Sequence, residues 1–578
     1  MSIQVDEKVS HDLDGLHLVF HPSSMRSWVK WESEKWTIYV TGWAFADHLL
    51  LGDESLAQYI IRQTNASQPF SDILHHLNGN FAVLLAAPEA IHLGVDLVRT
   101  IPLFYRQEGS TLLVSDDIRQ IQRDDDTIEQ NSLIEMATAG YVTGPHTLFA
   151  KIKGLQSGEC VSWSKGHPAT ERTLQSQRYY EYLCSYDATS SVETLCEEFD
   201  EMVIAAFTRI IETLNGRQVL LPLSGGLDSR LVAATLKRLG YDNVLCFSYG
   251  IPGNRESVRS QQVAKALGYD WLQTPYSAQL LKEALNSPKM REYRAFAANA
   301  VSLPHQDDWL AIRILRDHSE VHDDAILMPG HTGDFICGSH LKYIFDPVWH
   351  DDPYALNEAM IKKHYSHWED LVVMDHIRAA IEHRLDEALG AFPNKTHQEL
   401  ACMYEYWEWQ ERQAKYIINA LRVYDFFGFS WRMPLWDRAI VDFWKPIPIS
   451  LKMDKYLYRS YLASHDPMGV FQEDAPTGLW HREPVIEQKR GLRQRIKENL
   501  QSNRLLSPPF YHYQKLRRHL NAYRSHPLGF ARAYGAFRYI CQDLSKRHMK
   551  ALLVREFLLE QYKIDFAELR QDKSTTAG

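Results

Sequence analysis

Apolar and polar residues alternate through much of the first ~185 positions, with the two-residue period of half-buried strands. The alternation predicts strands at Trp36 to Phe45, Phe81 to Ala87, Ala90 to Val95 and Thr111 to Val114. Helical stretches such as Glu54 to Gln63 lie between them, and Asp124, Asp125 and Asp126 mark an exposed turn. Asp187 to Ser191 reads as a linker, and the period then changes. Val192 to Leu214 predicts a helix leading into an apolar strand at Val219. Strand Val244 to Tyr249, helix Glu256 to Leu267 and strand Ala325 to Met328 follow, the alternation of a parallel α/β sheet. Beyond about Pro353 the chain reads as mainly helical, without internal repeats. There, Glu408, Arg412, Lys415, Asn419 and Arg422 step by four and three, which predicts one polar helix face. With Trp407, Trp409, Tyr416 and Tyr424 around it, this face reads either as solvated or as a wall around an acidic substrate.

The bulk numbers narrow the class. The chain has 578 residues, is 45% hydrophobic and 24% charged, and carries a net charge of −10. These are the values of a soluble globular protein, and the acidic balance argues against a general nucleic-acid binder. Seven cysteines are scattered without a Cys-x-x-Cys pair, so neither a zinc site nor a disulfide framework is expected. No apolar run reaches membrane-spanning length, and the polar N-terminus does not read as a signal peptide; the cytoplasm is the expected compartment.

The most specific local signal is Leu223-Ser224-Gly225-Gly226-Leu227-Asp228-Ser229, between the Val219 strand and a helix-like stretch from Leu231. Gly225 and Gly226 let the backbone approach a ligand. Free N–H groups and the dipole at the helix start favour an anion there, and Ser224 and Ser229 add hydroxyl donors. Asp228 would repel a bare phosphate, so its expected role is to hold Mg²⁺. The spacing is not Gly-x-x-x-x-Gly-Lys, which excludes the Walker loop. The segment resembles the pyrophosphate loop of enzymes that cleave ATP between the α and β phosphates.

More of the chain carries a wider resemblance. Leu77-Asn78-Gly79-Asn80-Phe81-Ala82-Val83 and Val95 to Tyr105 are similar to segments of the N-terminal domain of the asparagine synthetase family. Cys246-Phe247-Ser248-Tyr249-Gly250, Met328 to Gly338, Met433 to Asp437 and Lys452 to Arg459 resemble segments of its synthetase domain. The resemblance implies an α/β chain in two domains. Residues 1–185 would be an Ntn-hydrolase-like αββα sandwich of the class II amidotransferase type. Residues 192–578 would be an adenine-nucleotide α-hydrolase-like parallel sheet with a helical C-terminal part. It implies that Tyr249 and Gly330 lie beside the nucleotide and that Asp228 and Asp334 hold Mg²⁺. Lys455 would offset charge on the adenylate, and His331, where the family has a glutamate, would stand at the reacting centre.

One departure bears on the nitrogen donor. The family's glutaminase nucleophile is an N-terminal cysteine, and Ser2 follows Met1 here. The glutamine-binding Asn-Gly-Glu-Ile-Tyr-Asn segment is not recognisable either, so the N-terminal domain is expected to be a scaffold without glutaminase activity. The expected reaction is adenylation of a substrate carboxylate by ATP, with pyrophosphate released, followed by attack of ammonia or an amine. The patterns at Arg99 to Tyr105, Gly330 to Gly338 and Tyr416 to Asp437 look closest to relatives in bacterial surface-polysaccharide clusters, some of which are thought to amidate sugar carboxylates. An asparagine synthetase, an intramolecular amide former of the β-lactam synthetase or lasso-peptide cyclase type, and a non-catalytic ATP-binding scaffold remain as alternatives. A homodimer is left open.

Overall fold

The structure, a computed structural model, describes residues 3–5, 7–13, 16–23, 26–87, 90–165, 172–345, 356–390, 396–476, 528 and 549–570. Met1, Ser2, Pro353 and Cys541 lie outside the described residues.

Two sheets face each other in the N-terminal part. The first runs Ile3–Val5, Trp28–Glu32, Thr37–Ala46, Asn78–Ala86, Ala90–Val95, Glu159–Lys165 and Arg172–Arg178, all antiparallel, with Leu49–Gly52 folded back on Thr37–Ala46. The second runs Lys153–Gly154, Phe104–Glu108, Thr111–Ser115, Leu16–His21 and Val9–Leu13. Period-two patterning explains the layers. Tyr39, Leu84, Leu93 and Trp163 of the first sheet meet Leu18, Phe20, Leu112 and Val114 of the second in one apolar layer. Their neighbours Ile38, Val40, Val83 and Leu85 face the other way, onto Leu56 and Ile60 of the helix Asp53–Asn65. Ile3–Val5 is an edge strand that the sequence did not announce; three residues are too short for a periodic signal.

The third sheet is wholly parallel, in the order Asp270–Pro275, Val244–Gly250, Val219–Pro222, Ile326–Leu327, Ser430–Trp431. Its central strand is covered on both faces, so Val219, Leu220 and Leu221 form an unbroken apolar run. The helix Val192–Leu214 leads into it. Ser191 Oγ accepts the Thr194 N–H at its start, and Asn215 ends it in the left-handed conformation at φ 49°.

The two parts share one continuous core. Backbone bonds also stitch the seam: Val142 N to Val301 O at 2.8 Å, Leu148 N to Ala300 O at 2.8 Å and Leu303 N to Gly140 O at 2.7 Å. Asn78 Nδ2 donates to Asp437 at 3.1 Å, and Arg209 grips the same carboxylate at 2.9 and 2.7 Å.

The polar stripe near the C-terminal end of this seam departs from the sequence reading. Glu408–Ile417 is a π-helix, followed by a 3₁₀ turn at Ile418–Leu421. The widened turn breaks the four-and-three register on which the α-helical face rested. Glu408, Lys415, Asn419 and Arg422 are buried, so a solvated face is excluded. Their partners explain the departure. Glu411 accepts the Gly144 N–H at 3.0 Å and Lys415 Nζ at 2.6 Å, and Trp409 Nε1 donates to Leu97 O at 3.0 Å. The stripe is a polar seam between the two halves.

A buried ion pair lies deeper. Lys452 Nζ sits 2.9 Å from Glu405, and both side chains are inaccessible to solvent. Burial alone would raise the Glu405 pKa; Lys452, with His340 and Cys184, outweighs it and holds the carboxyl at about 2. A depressed carboxyl pKa contributes stability that is complete above the ordinary value of 4.5 and is lost as pH falls toward 2. Thermal melts should therefore drop across that window. Lys452→Met should cost about 3–5 kcal/mol at neutral pH by leaving Glu405 unpaired. Urea unfolding within 1 kcal/mol or so of wild type would contradict this.

Candidate active site

The site forms where the parallel sheet ends in loops at its carboxyl edge. Strand Val219–Pro222 passes through Ser224-Gly225-Gly226 into the helix Leu227–Arg238. Gly226 is the N-cap and supplies no side-chain cap, so the first amides of this helix are available to an anion. A Cβ on Gly225 would stand 3.6 Å from Arg259, and one on Gly226 would stand 3.2 Å from Ser224 Oγ, so packing alone does not demand glycine at Gly225. Ser224 and Ser229 hydroxyls lie 3.0 Å apart, and Ser224 Oγ also accepts the Gly226 N–H.

A second loop approaches from the Ile326–Leu327 strand. Here glycine is demanded by contact. A Cβ on Gly330 would meet Ser229 N at 2.5 Å, and one on Gly333 would meet Asp228 Cγ at 2.2 Å. The approach lets Asp334 N donate to Asp228 Oδ2 at 3.0 Å. Thr332 stands at φ 90°, a strained value for a β-branched residue. A third segment brings Lys455 to Asp334 as an ion pair and Tyr458 OH to Asp228 Oδ1 at 3.0 Å. Asp454 and Lys455 are both left-handed, at φ 52° and 59°.

Burial, and then the neighbouring Asp334, raise the Asp228 carboxyl to about 6. Burial would lower the Lys455 pKa, but Cys337, Asp334 and Asp228 hold it up. Two carboxylates pressed together beside one ammonium make a site that would gain from a further cation.

These groups line one cavity of about 500 Å³. Every residue expected from the sequence to bind nucleotide or metal or to act in catalysis borders it except Leu223, whose side chain is buried in the core and whose N–H donates to Phe247 O; of the polar stripe from Glu408 to Arg422, none of Glu408, Arg412, Lys415, Asn419 and Arg422 does. The far wall is made of His305, Asp308, Tyr424, Arg459 and Asp474, and of these only Tyr424 was read from the sequence as a wall residue. Asp308 Oδ1, His331 Nδ1 and Arg459 Nε are buried there without a hydrogen-bond partner. Unsatisfied buried polar atoms around one cavity are what a polar ligand would satisfy. His331 is kept neutral, its pKa lowered to about 4 by burial and by His305. Burial opposes protonation of His305, but Asp307 and Asp308 outweigh it and raise its pKa to about 9.

Residues 212–542 match the model of the asparagine synthase family, and residues 61–180 match that of the glutamine amidotransferase domain. The chain belongs to the asparagine synthase family. A probable glutamine-hydrolysing asparagine synthetase of Acanthamoeba polyphaga mimivirus is 26% identical over 181 residues, covering 30% of this chain and 31% of that protein. The chain thus spans about a third of the length of that relative. Among solved structures, a glutamine phosphoribosylpyrophosphate amidotransferase from B. subtilis is 10% identical, over 52% of this chain and 62% of that one, at a TM-score of 0.17. An allosteric regulatory enzyme of purine biosynthesis is also 10% identical, over 65% and 76%, at the same TM-score of 0.17. Likeness at that level adds nothing to the reading of the site.

In this asparagine synthase family member, Tyr458 and Gly333 stood in segments matched from the sequence but signalled no role there. Their work is done across the fold, on Asp228. His305 and Asp308 had no sequence signal. Of the aromatic wall expected near the C-terminal helices, Tyr424 reaches the cavity. Trp407 and Trp409 are core residues. No helix among the described residues is long and apolar enough to cross a membrane.

Proposed function

We propose that the chain is an ATP-dependent amide ligase that adenylates a substrate carboxylate, releases pyrophosphate and passes the acyl group to ammonia or an amine. One observation carries this reading: Asp228, Asp334 and Lys455, more than a hundred positions apart from one to the next, converge at the mouth of an uncapped helix. The Ser224 to Ser229 loop would hold the pyrophosphate end of ATP through backbone amides. Tyr249 borders the same cavity and would line the nucleotide.

The donor set fits Mg²⁺. Asp228 and Asp334 offer hard oxygen ligands, and no group of three or more His, Cys, Asp or Glu side chains is placed to hold a metal ion among the described residues. An ion with two protein carboxylates and the rest of its shell from phosphate and water is the usual arrangement for Mg²⁺. When bound it would neutralise charge on the pyrophosphate leaving group. Lys455 would offset the charge that develops on the attacked carbonyl and the phosphate. His331, neutral at physiological pH, can accept a hydrogen bond or proton from the incoming amine. Its low basicity suits orientation better than strong base catalysis.

A carboxylate on a sugar, amidated during surface-polysaccharide synthesis, is the substrate we favour among the acids. The test is pyrophosphate release with a panel of acids (aspartate, uronic acids, peptides) with and without ammonia. No release with any pair would leave a non-catalytic nucleotide binder. His331→Ala should slow amide formation about tenfold or more while pyrophosphate–ATP isotope exchange changes less. Wild-type rates of both in the variant would make His331 structural.

A further inference from the structure

The wall of the candidate active site holds an acid that the proposed ATP chemistry does not use. Asp308 borders the cavity and is 6% exposed. Its Oδ1 is buried without a hydrogen-bond partner, and so is His331 Nδ1 in the same cavity. The Tyr424 hydroxyl interacts with the Asp308 carboxylate. His305 is the cation beside it, and it is shared. Its Nδ1 lies 3.9 Å from Asp308 Oδ1 and its Nε2 lies 3.8 Å from Asp307 Oδ2, both too long for hydrogen bonds. Lys550 adds a second positive charge on this side, but its ammonium donates to Tyr416 OH at 2.5 Å and acts on Asp307. Of the other cations around the cavity, Lys455 is paired with Asp334 and Arg230 with Asp474, and Arg459 Nε itself lacks an acceptor. Among the described residues, no lysine or arginine forms an ion pair with Asp308.

Asp308 Oδ1, the Tyr424 hydroxyl and a neutral His331 imidazole in one tautomer can all accept hydrogen bonds. A buried carboxylate oxygen without a partner is costly, and the group that relieves it best is a cation that donates. A protonated amino group has three donors and no acceptor, so it can meet several of these atoms at once. A neutral amino group, such as that of a nucleobase, would leave the carboxylate charge uncompensated. An amine taken from solution near neutral pH arrives in the protonated form, since alkylamines lose their proton only at about pH 10.

We propose that Asp308, with His331 and Tyr424, is the subsite that takes the nitrogen donor as a protonated amino group, ammonium or a primary alkylammonium. The assignment rests on the ligase reading, but capture of the amino group can be measured without turnover.

Saturation-transfer NMR on the methyl protons of methylammonium chloride reads that capture directly. Tetramethylammonium chloride, of equal charge but without N–H donors, is the control, and the full chain is measured with and without ATP. Methylammonium should give a saturable signal that ammonium chloride displaces and sodium chloride of equal ionic strength does not. Asp308→Asn keeps the shape and removes the charge, and it should weaken binding about tenfold or more, the worth of a hydrogen bond to a charged group. Its ATP affinity, by equilibrium dialysis, should change little. With an acid that supports pyrophosphate release, the same variant should raise the KM for the amine about tenfold or more, while pyrophosphate–ATP exchange changes less. If no acid supports release, the ligase reading fails, while loss of methylammonium binding in Asp308→Asn still shows a cation subsite. If release occurs and Asp308→Asn leaves the KM for the amine unchanged, this proposal fails and the ligase reading stands. It is also overturned if methylammonium gives no more signal than tetramethylammonium with and without ATP. Loss of ATP affinity in Asp308→Asn with methylammonium binding retained would overturn it too, giving this corner to the nucleotide.

Discussion

Asp228→Asn is expected to abolish metal-dependent pyrophosphate release and leave the fold intact. The carboxylate lies at the meeting point of all three active-site segments, accepting Tyr458 OH and Asp334 N at 3.0 Å each. Asparagine has nearly the same shape. Its oxygen can keep the Asp334 amide, and its NH₂ can donate to the Tyr458 hydroxyl, which accepts as well as donates. What is lost is the charge. Burial and Asp334 already disfavour that charge, as its raised pKa of about 6 records. Removing it should therefore leave the melting temperature unchanged or slightly higher. Catalysis should suffer in the opposite direction, by on the order of a hundredfold or more, because half of the proposed Mg²⁺ site is gone. A folded Asp228→Asn protein releasing pyrophosphate at near wild-type rate would sink the assignment of this loop.

The second large effect is expected at Lys455, and it falls on a different step. Lys455→Met keeps most of the stem and removes the ammonium. ATP should still bind, because the loop amides remain. Amide formation should fall by about a hundredfold or more, since nothing then offsets the charge developing at the reacting carbonyl. Lys455→Arg should rescue poorly: the planar guanidinium must be fitted on a left-handed residue already paired with Asp334. The comparison to make is pyrophosphate–ATP isotope exchange beside product formation. Intact amide formation in Lys455→Met would show that the residue serves the Asp334 ion pair alone.

Much of the candidate active-site cavity was legible in the sequence because its parts are local. A strand, a glycine turn and a helix start are set by neighbours in the chain, so Ser224 to Ser229 can be read in place. The same holds for Asp334 and Lys455, each inside a short matched segment. The strands from Thr37 to Val95 were legible because a two-residue period persists over enough positions to register. Ile3–Val5 and Ser430–Trp431 were not: they take their conformation from the strands they pair with.

The polar stripe at Glu408 to Arg422 marks where sequence reasoning turned the wrong way. Its spacing is sound as a pattern, but the pattern assumes an α-helical turn. Contacts with Gly144 and Leu97, more than 260 positions away, go with a π-helix instead and turn the charges inward. No local propensity encodes a partner at that distance.

The sequence by itself supplied the parts on which the proposed chemistry rests: an α/β pattern, a glycine turn at a helix start, and the residues proposed to hold a metal and a developing negative charge. These follow from backbone freedom, helix-end amides and side-chain charge, all properties of residues in short windows. Tertiary structure alone decided which groups meet. It placed Gly333 against Asp228, brought Tyr458 to the same carboxylate, and raised the far wall of His305 and Asp308. Such juxtapositions arise from burying apolar faces across the whole chain, and the electrostatics of a site depend on the distances that this burial imposes.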